Sequence, residues 1–186
     1  MAKMGFPITP PIEPMLAKLA HEVPEGPFLF EPKWDGFRAM IFRDGDAIHI
    51  QSRDLKPLQR YFPELLGPIR ASLPERCVID GEIVIARDGA LHFEALLNRI
   101  HPAASRVEML AREHPASFVA FDLLALDADL RQAPQKERRA TLEAALADAK
   151  PPIHLTPMTR DGATAEDWFG LYDKYKSRLD ALFVKE

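Results

Sequence analysis

Residues 28–38 read FLFEPKWDGFR, and the charged end of this run has the residue types for chemistry. An apolar strand delivers Lys33, Asp35, Gly36 and Arg38 in quick succession, so an amine, a carboxylate and a permanent cation share one short loop. An amine in that company is a candidate covalent nucleophile, and the cluster has the make-up of a small nucleotide-phosphate site. At its ordinary pKa a lysine is neutral to only about one part in 10³ at neutral pH, so removing that penalty is worth roughly 4–5 kcal/mol. The plainer alternative is a β-hairpin turning at residues 34–37, because Asp-Gly is a standard turn signal and the charges would then be solvated.

Three further segments carry polar groups in apolar surroundings. In residues 78–84, VIDGEIV, Asp80 and Glu82 point to one side of a strand, where they serve as a ribose or divalent-metal ligand pair or else as solvated edge carboxylates. In residues 117–124, SFVAFDLL, Phe121 offers a ring face to a planar base or is simply core. Residues 51–53, QSR, followed by RYFPEL at 60–65, place Ser52 and Arg53 on phosphate with a helix start behind them, or leave them as hydrated surface.

These residues need a scaffold, and the sequence supplies one. Strand-like runs at 28–34, 37–52, 77–93 and 117–126 are rich in Val, Ile and Phe with Asp-Gly or Gly-Asp turns between them. Apolar residues at helical spacing mark 61–73, 105–112, 135–149 and 165–176, and a short helix is expected around 16–21. Pro7, Pro10, Pro11 and Pro14 make residues 1–13 an extended arm. The class is α+β, one domain over 1–186 with two largely antiparallel sheets flanked by helices.

Composition narrows the function classes. With 186 residues and 47% apolar content the chain can bury one sizeable core. The lone Cys77 permits no internal disulfide and suggests a reducing compartment, and the absence of a secretory pattern or a long apolar span points to the cytoplasm and away from membranes. A net charge of −4 argues against bulk electrostatic binding of nucleic acid, although Lys33, Arg38, Arg43, Arg53, Lys56 and Arg60 can form a local basic face. No Gly-x-x-x-x-Gly-Lys-Ser/Thr loop occurs, and one cysteine with six scattered histidines, among them His92 and His101, gives no zinc spacing.

The order of the motifs is more specific than any one of them: Lys33-x-Asp35-Gly36-x-Arg38, then Ser52-Arg53 with Phe62-Pro63-Glu64-Leu65, then Asp80-Gly81-Glu82, then Phe121-Asp122-Leu123-Leu124. This order resembles the covalent nucleotidyltransferase superfamily and, within it, the adenylation domain of bacterial ATP-dependent DNA ligases of the repair and end-joining type. The resemblance runs over residues 14–168 and includes 93–99 and 106–124. It implies a nucleotidyltransferase fold, ATP-grasp-like, with a nucleotide cleft between the two sheets, and use of ATP with Mg²⁺ or Mn²⁺. Lys33 would form a lysyl-AMP phosphoramidate, flanked by Asp35 and Arg38 as catalytic groups. Glu31 would contact the adenine amino group, Arg38 the ribose or phosphates, Glu82 the ribose or a metal, and Phe121 would stack on adenine. Ser52 and Arg53 would bind phosphate at a DNA nick.

The same resemblance implies nicked duplex DNA as partner, together with other DNA repair proteins, in a monomer at the bacterial nucleoid. Its fourth motif is matched by residues 180–185, DALFVK, with Ala181 where glycine is expected, Asp180 as a metal ligand and Lys185 as a phosphate contact. The sequence ends at Glu186, ahead of the family's two-lysine fifth motif and its oligonucleotide-binding barrel, so a truncated adenylation domain is expected. RNA ligases and capping guanylyltransferases share the lysine motif, while Glu31 and Phe62-Pro63-Glu64-Leu65 favour adenine and DNA. A non-catalytic nucleotide- or DNA-binding remnant is the alternative of another class.

Overall fold

The computed structural model describes residues 5–16, 23–174 and 181–185. Among these the strands are β1 (Leu29–Lys33), β2 (Phe37–Asp44), β3 (Ala47–Ser52), β4 (Arg76–Val84), β5 (Ala86–Arg87), β6 (Ala90–Leu91), β7 (Ser117–Leu126), β8 (Ala128–Asp129), β9 (Ile153–Leu155) and β10 (Ala181–Lys185). The α-helices are α1 (Pro63–Ser72), α2 (Phe93–Arg99), α3 (Ala104–Glu113), α4 (Gln135–Ala145) and α5 (Gly162–Lys174). The larger sheet runs β3-β2-β4-β7-β8, all antiparallel, and β9 joins β7 in parallel. The smaller sheet pairs β1 with β10. Phe30 in β1 exchanges two 2.9 Å backbone hydrogen bonds with Thr159, four residues past the end of β9, which fastens the smaller sheet to the larger. The expected α+β class with two largely antiparallel sheets is therefore observed.

Strand alternation decides which side chains form the core. On β2 and β4, Ala39, Ile41, Cys77, Ile79 and Ile83 point one way and pack with Phe118 of β7, Leu65 and Ile69 of α1, Leu96 of α2 and Leu142 of α4. Met40, Phe42 and Val78 point the other way, and the N-terminal arm covers them with Ile8, Phe6 and Ile12. Burying side chains of that size is worth about 1.5–3 kcal/mol each. Buried Gln51 ties the arm down: its Nε2 donates to the Ile12 carbonyl at 2.6 Å and its Oε1 accepts from the Ile12 N–H at 2.9 Å.

The structure corrects two sequence expectations and adds a buried ion pair. The run 77–93 is not one strand. It breaks after β4 into the small β5–β6 hairpin, whose turn residues Asp88 and Gly89 adopt positive φ, and α2 then begins at Phe93. Arg43 does not belong to the basic face. It lies five residues after Arg38 and so on the opposite side of β2, buried, donating to the carbonyls of Gly45, Ile69 and Leu73. Glu64 of the Phe-Pro-Glu-Leu element turns inward to fully buried Arg99, with bonds of 2.7 and 2.8 Å, while Arg99 also donates to the carbonyls of Tyr61 and His114. The helix expected at 16–21 falls almost wholly outside the described residues.

Candidate active site

Lys33 is the last residue of β1, half-buried, and the loop after it is not a hairpin turn. β1 pairs with β10, whereas β2 pairs with β3 and β4, so residues 34–36 cross from one sheet to the other. Gly36 is needed for close approach. A Cβ there would run into the Ile83 carbonyl oxygen and lie 2.9 Å from both Glu82 Cγ and Val84 Cγ1. Any larger residue would lift the loop off β4 and take Lys33 with it. Trp34 fixes the other side of the crossing by donating its indole N–H to Thr156 Oγ1 at 2.9 Å.

Arg38 enters β2 opposite Glu82 on β4. Its guanidinium forks onto Asp80, Nε to Oδ1 at 3.2 Å and Nη2 to Oδ2 at 2.7 Å, and Nη1 donates to the Met15 carbonyl of the arm at 2.5 Å. The same guanidinium stands 5.6 Å from the centre of the buried Phe121 ring. Burial opposes the Arg38 charge, but the bond to Asp80 and the fields of Asp80, Glu82 and Asp122 outweigh it and raise its pKa. Asp122 is itself engaged by Arg138, with two bonds of 2.9 Å. Strand alternation alone makes Asp80 a companion of Glu82; its grip on Arg38 depends on a diagonal cross-strand contact.

Glu82 sits at the centre of the cluster. Burial, above all, pushes its carboxyl pKa up to about 8, while Lys33 and then Arg38 pull it down and Asp80 and Asp35 push it further up. Lys33, Asp35, Arg38, Asp80 and Glu82 therefore lie within electrostatic reach of one another at one end of the sheet. A carboxyl poised this way takes a proton, accepts a hydroxyl hydrogen bond, or pairs with an added cation.

Glu31, two residues before Lys33, is 1% exposed and bound at 2.8 Å by Arg139 Nη1 of α4. Arg139 also binds Glu143 at 2.7 Å and the Thr156 carbonyl at 2.8 Å. Ser52 is half-buried at the end of β3, accepting the Lys56 N–H at 3.0 Å, and Arg53 beyond it is exposed. On the smaller sheet, Ala181 takes up strand backbone directly opposite Lys33, so no left-handed conformation calls for glycine there. Lys185 stands opposite Leu29 at the far end of β1, and Asp180 lies outside the described residues.

The sequence reading missed Arg139, Thr156 and Gln51. Arg139 sits in a highly charged helix that reads as solvated, 108 residues from its partner Glu31. The bonds that Thr156 makes to Trp34 and Arg139 span 122 and 17 residues and those of Gln51 to Ile12 span 39, and no local pattern announces them. Among the described residues no group of three His, Cys, Asp or Glu is arranged to hold a metal. A Mg²⁺ carried by nucleotide phosphates needs only one or two carboxylates, and Glu82 fits that demand.

Comparison with known proteins identifies the family. Residues 14–185 match the family model described as the ATP dependent DNA ligase domain. DNA ligase C2 of Mycolicibacterium smegmatis is 56% identical over 183 residues, covering 98% of this chain and 51% of that protein. DNA ligase C of Mycobacterium tuberculosis is 56% identical over 187 residues with the same coverage. The chain thus spans about half the length of the curated relatives it matches. Among solved structures, mycobacterial DNA ligase D complexed with ATP and MES superposes with a TM-score of 0.63 at 27% identity, over 85% of this chain and 48% of that one.

Proposed function

This chain belongs to the ATP-dependent DNA ligase domain family, and from that membership we propose that it carries the lysine-adenylating half-reaction of nick sealing. The Lys33 amine, once deprotonated, attacks the α-phosphorus of ATP. An N–P bond forms, the bond from that phosphorus to the bridging oxygen breaks, and pyrophosphate leaves with the electron pair. AMP then passes to a 5′-phosphate at a nick, and a 3′-hydroxyl displaces it to close the strand.

The observation that carries this reading is the convergence of Lys33, Arg38, Asp80 and Glu82 on one loop held against β4 by Gly36. Each transfer builds charge on phosphate oxygens, so a preorganised cation such as Arg38, held rigid by Asp80, stabilises the transition state. Asp35 adds a carboxylate beside the amine. Glu31 contacts the adenine amino group, Phe121 supplies a ring wall for the base, and Ser52 and exposed Arg53 meet the phosphate of nicked duplex DNA. Glu82 holds the ribose, or a Mg²⁺ or Mn²⁺ whose role is to neutralise phosphate charge. Lys185 contributes a phosphate contact from β10, and Asp180 a metal contact. The setting is the bacterial cytoplasm at the nucleoid, where other repair proteins would meet the same DNA.

Intact-mass measurement after incubation with ATP and Mg²⁺ tests the proposal. One AMP moiety is expected on the wild-type chain and none on Lys33→Ala. Absence of the adduct from wild type overturns autonomous adenylation, and an adduct formed equally well from GTP overturns the assignment of the base.

A further inference from the structure

Among the described residues three arginines are buried against carboxylates: Arg99 on Glu64, Arg138 on Asp122 and Arg139 on Glu31. Arg99 closes on the helix layer. Arg139 is different, because its partner belongs to the strand that ends in Lys33. Its Nη1 binds Glu31 Oε1, its Nη2 binds the Thr156 carbonyl and its Nε binds Glu143. Thr156 in turn receives the indole N–H of Trp34. One guanidinium therefore reaches both flanks of Lys33, directly to Glu31 and through Thr156 to Trp34.

From this arrangement we infer that Arg139 is the positioning residue that sets purine selectivity, acting through Glu31. The inference rests on the proposed adenylation reading and deepens it. A carboxylate paired with a guanidinium is an acceptor only. The 6-amino group of adenine donates to such an acceptor. The 6-oxo group of guanine is itself an acceptor and meets repulsion. Arginine's planar fork holds Glu31 Oε1, the Thr156 carbonyl and Glu143 at the same time, which a lysine at the same position cannot do in that geometry. Glu143 is exposed and on the same helix, so it steadies Arg139 and takes no part in selection.

The test is the ratio of dissociation constants for GTP and ATP, measured by calorimetry on the 186-residue chain with folding checked by circular dichroism. Arg139→Met is expected to shrink the preference for ATP by about tenfold, and Arg139→Lys by about threefold. In a Glu31→Gln background, Arg139→Met should change the ratio no further. If Arg139→Met does not fold, Arg139→Lys decides. A fall in affinity for both nucleotides at an unchanged ratio overturns the inference and leaves Arg139 a purely structural tie. If the wild-type chain binds neither nucleotide, the adenylation reading itself falls, which is a separate result from a wild type that prefers ATP and variants that keep the preference.

Discussion

One face of the β2-β4-β7 sheet carries Ala39, Ile41, Ile79, Ile83 and Phe118; the other carries Arg38, Asp80 and Glu82 at one end and Met40, Phe42 and Val78 at the other. Both faces come from the same strands by simple alternation. The first is sealed by helices and serves stability alone. The second is apolar only where the arm covers it, and its remaining half concentrates charge that burial disfavours, as the raised pKa of Glu82 records. Stability and chemistry are thus divided between the two sides of a single layer, and the polar half-face is kept in place by groups from elsewhere: Gly36, Met15, Arg138 and Arg139.

The division can be broken from the sealed side first. Phe118→Ala should cost about 3–5 kcal/mol in urea unfolding, the usual result of emptying a fully buried aromatic site; a loss below about 1 kcal/mol would contradict the assignment of that face. Gly81→Ala probes the same side more gently. A Cβ there strikes the Phe118 ring and the Val119 carbonyl, so a loss of about 1–3 kcal/mol is expected, with Lys33 adenylation changed less than stability. Gln51→Leu cuts both bonds to Ile12 and should cost about 1–2 kcal/mol, with faster proteolysis of the arm than of the sheet as the accompanying readout.

A pH titration sharpens the comparison from the charged side. Glu82 titrates near 8 in the folded chain and near 4.5 ordinarily, so the folded state holds its proton more tightly. Its stabilising contribution is complete below the ordinary value, declines as pH rises between the two, and is gone above about 8. In metal-free buffer, wild type should therefore lose stability relative to Glu82→Gln as pH rises from about 5 to about 9, with the difference levelling off beyond that. A flat difference would place Glu82 in water and remove it from the buried cluster.

Much of this layout was legible in the residues. The alternation in residues 37–52 and 78–84 gave the central strands, and Asp80 with Glu82 on one side followed from the two-residue period. Helices α1, α3 and α4 followed from apolar spacing. What escaped was whatever depended on distant partners. The Asp-Gly pair left two readings open, and only the pairing of β1 with β10 instead of β2 shows that Gly36 serves close packing and not a tight turn. The apolar residues around Phe93 hid the start of α2, because a short apolar run suits strand and helix equally. Arg43, Arg99 and Arg139 all count as basic surface in a charge tally, yet each is buried on carbonyls or carboxylates.

The parallel strand β9 has a mechanical consequence. Thr156 donates its N–H to Ala120 of β7, and Thr159 exchanges hydrogen bonds with Phe30 of β1, so only Pro157 and Met158 lie between an anchor on one sheet and an anchor on the other. Three peptide steps span at most about 10 Å. The two sheets are consequently tethered here as well as by residues 34–36, so at this edge their separation is limited to what three peptide steps allow.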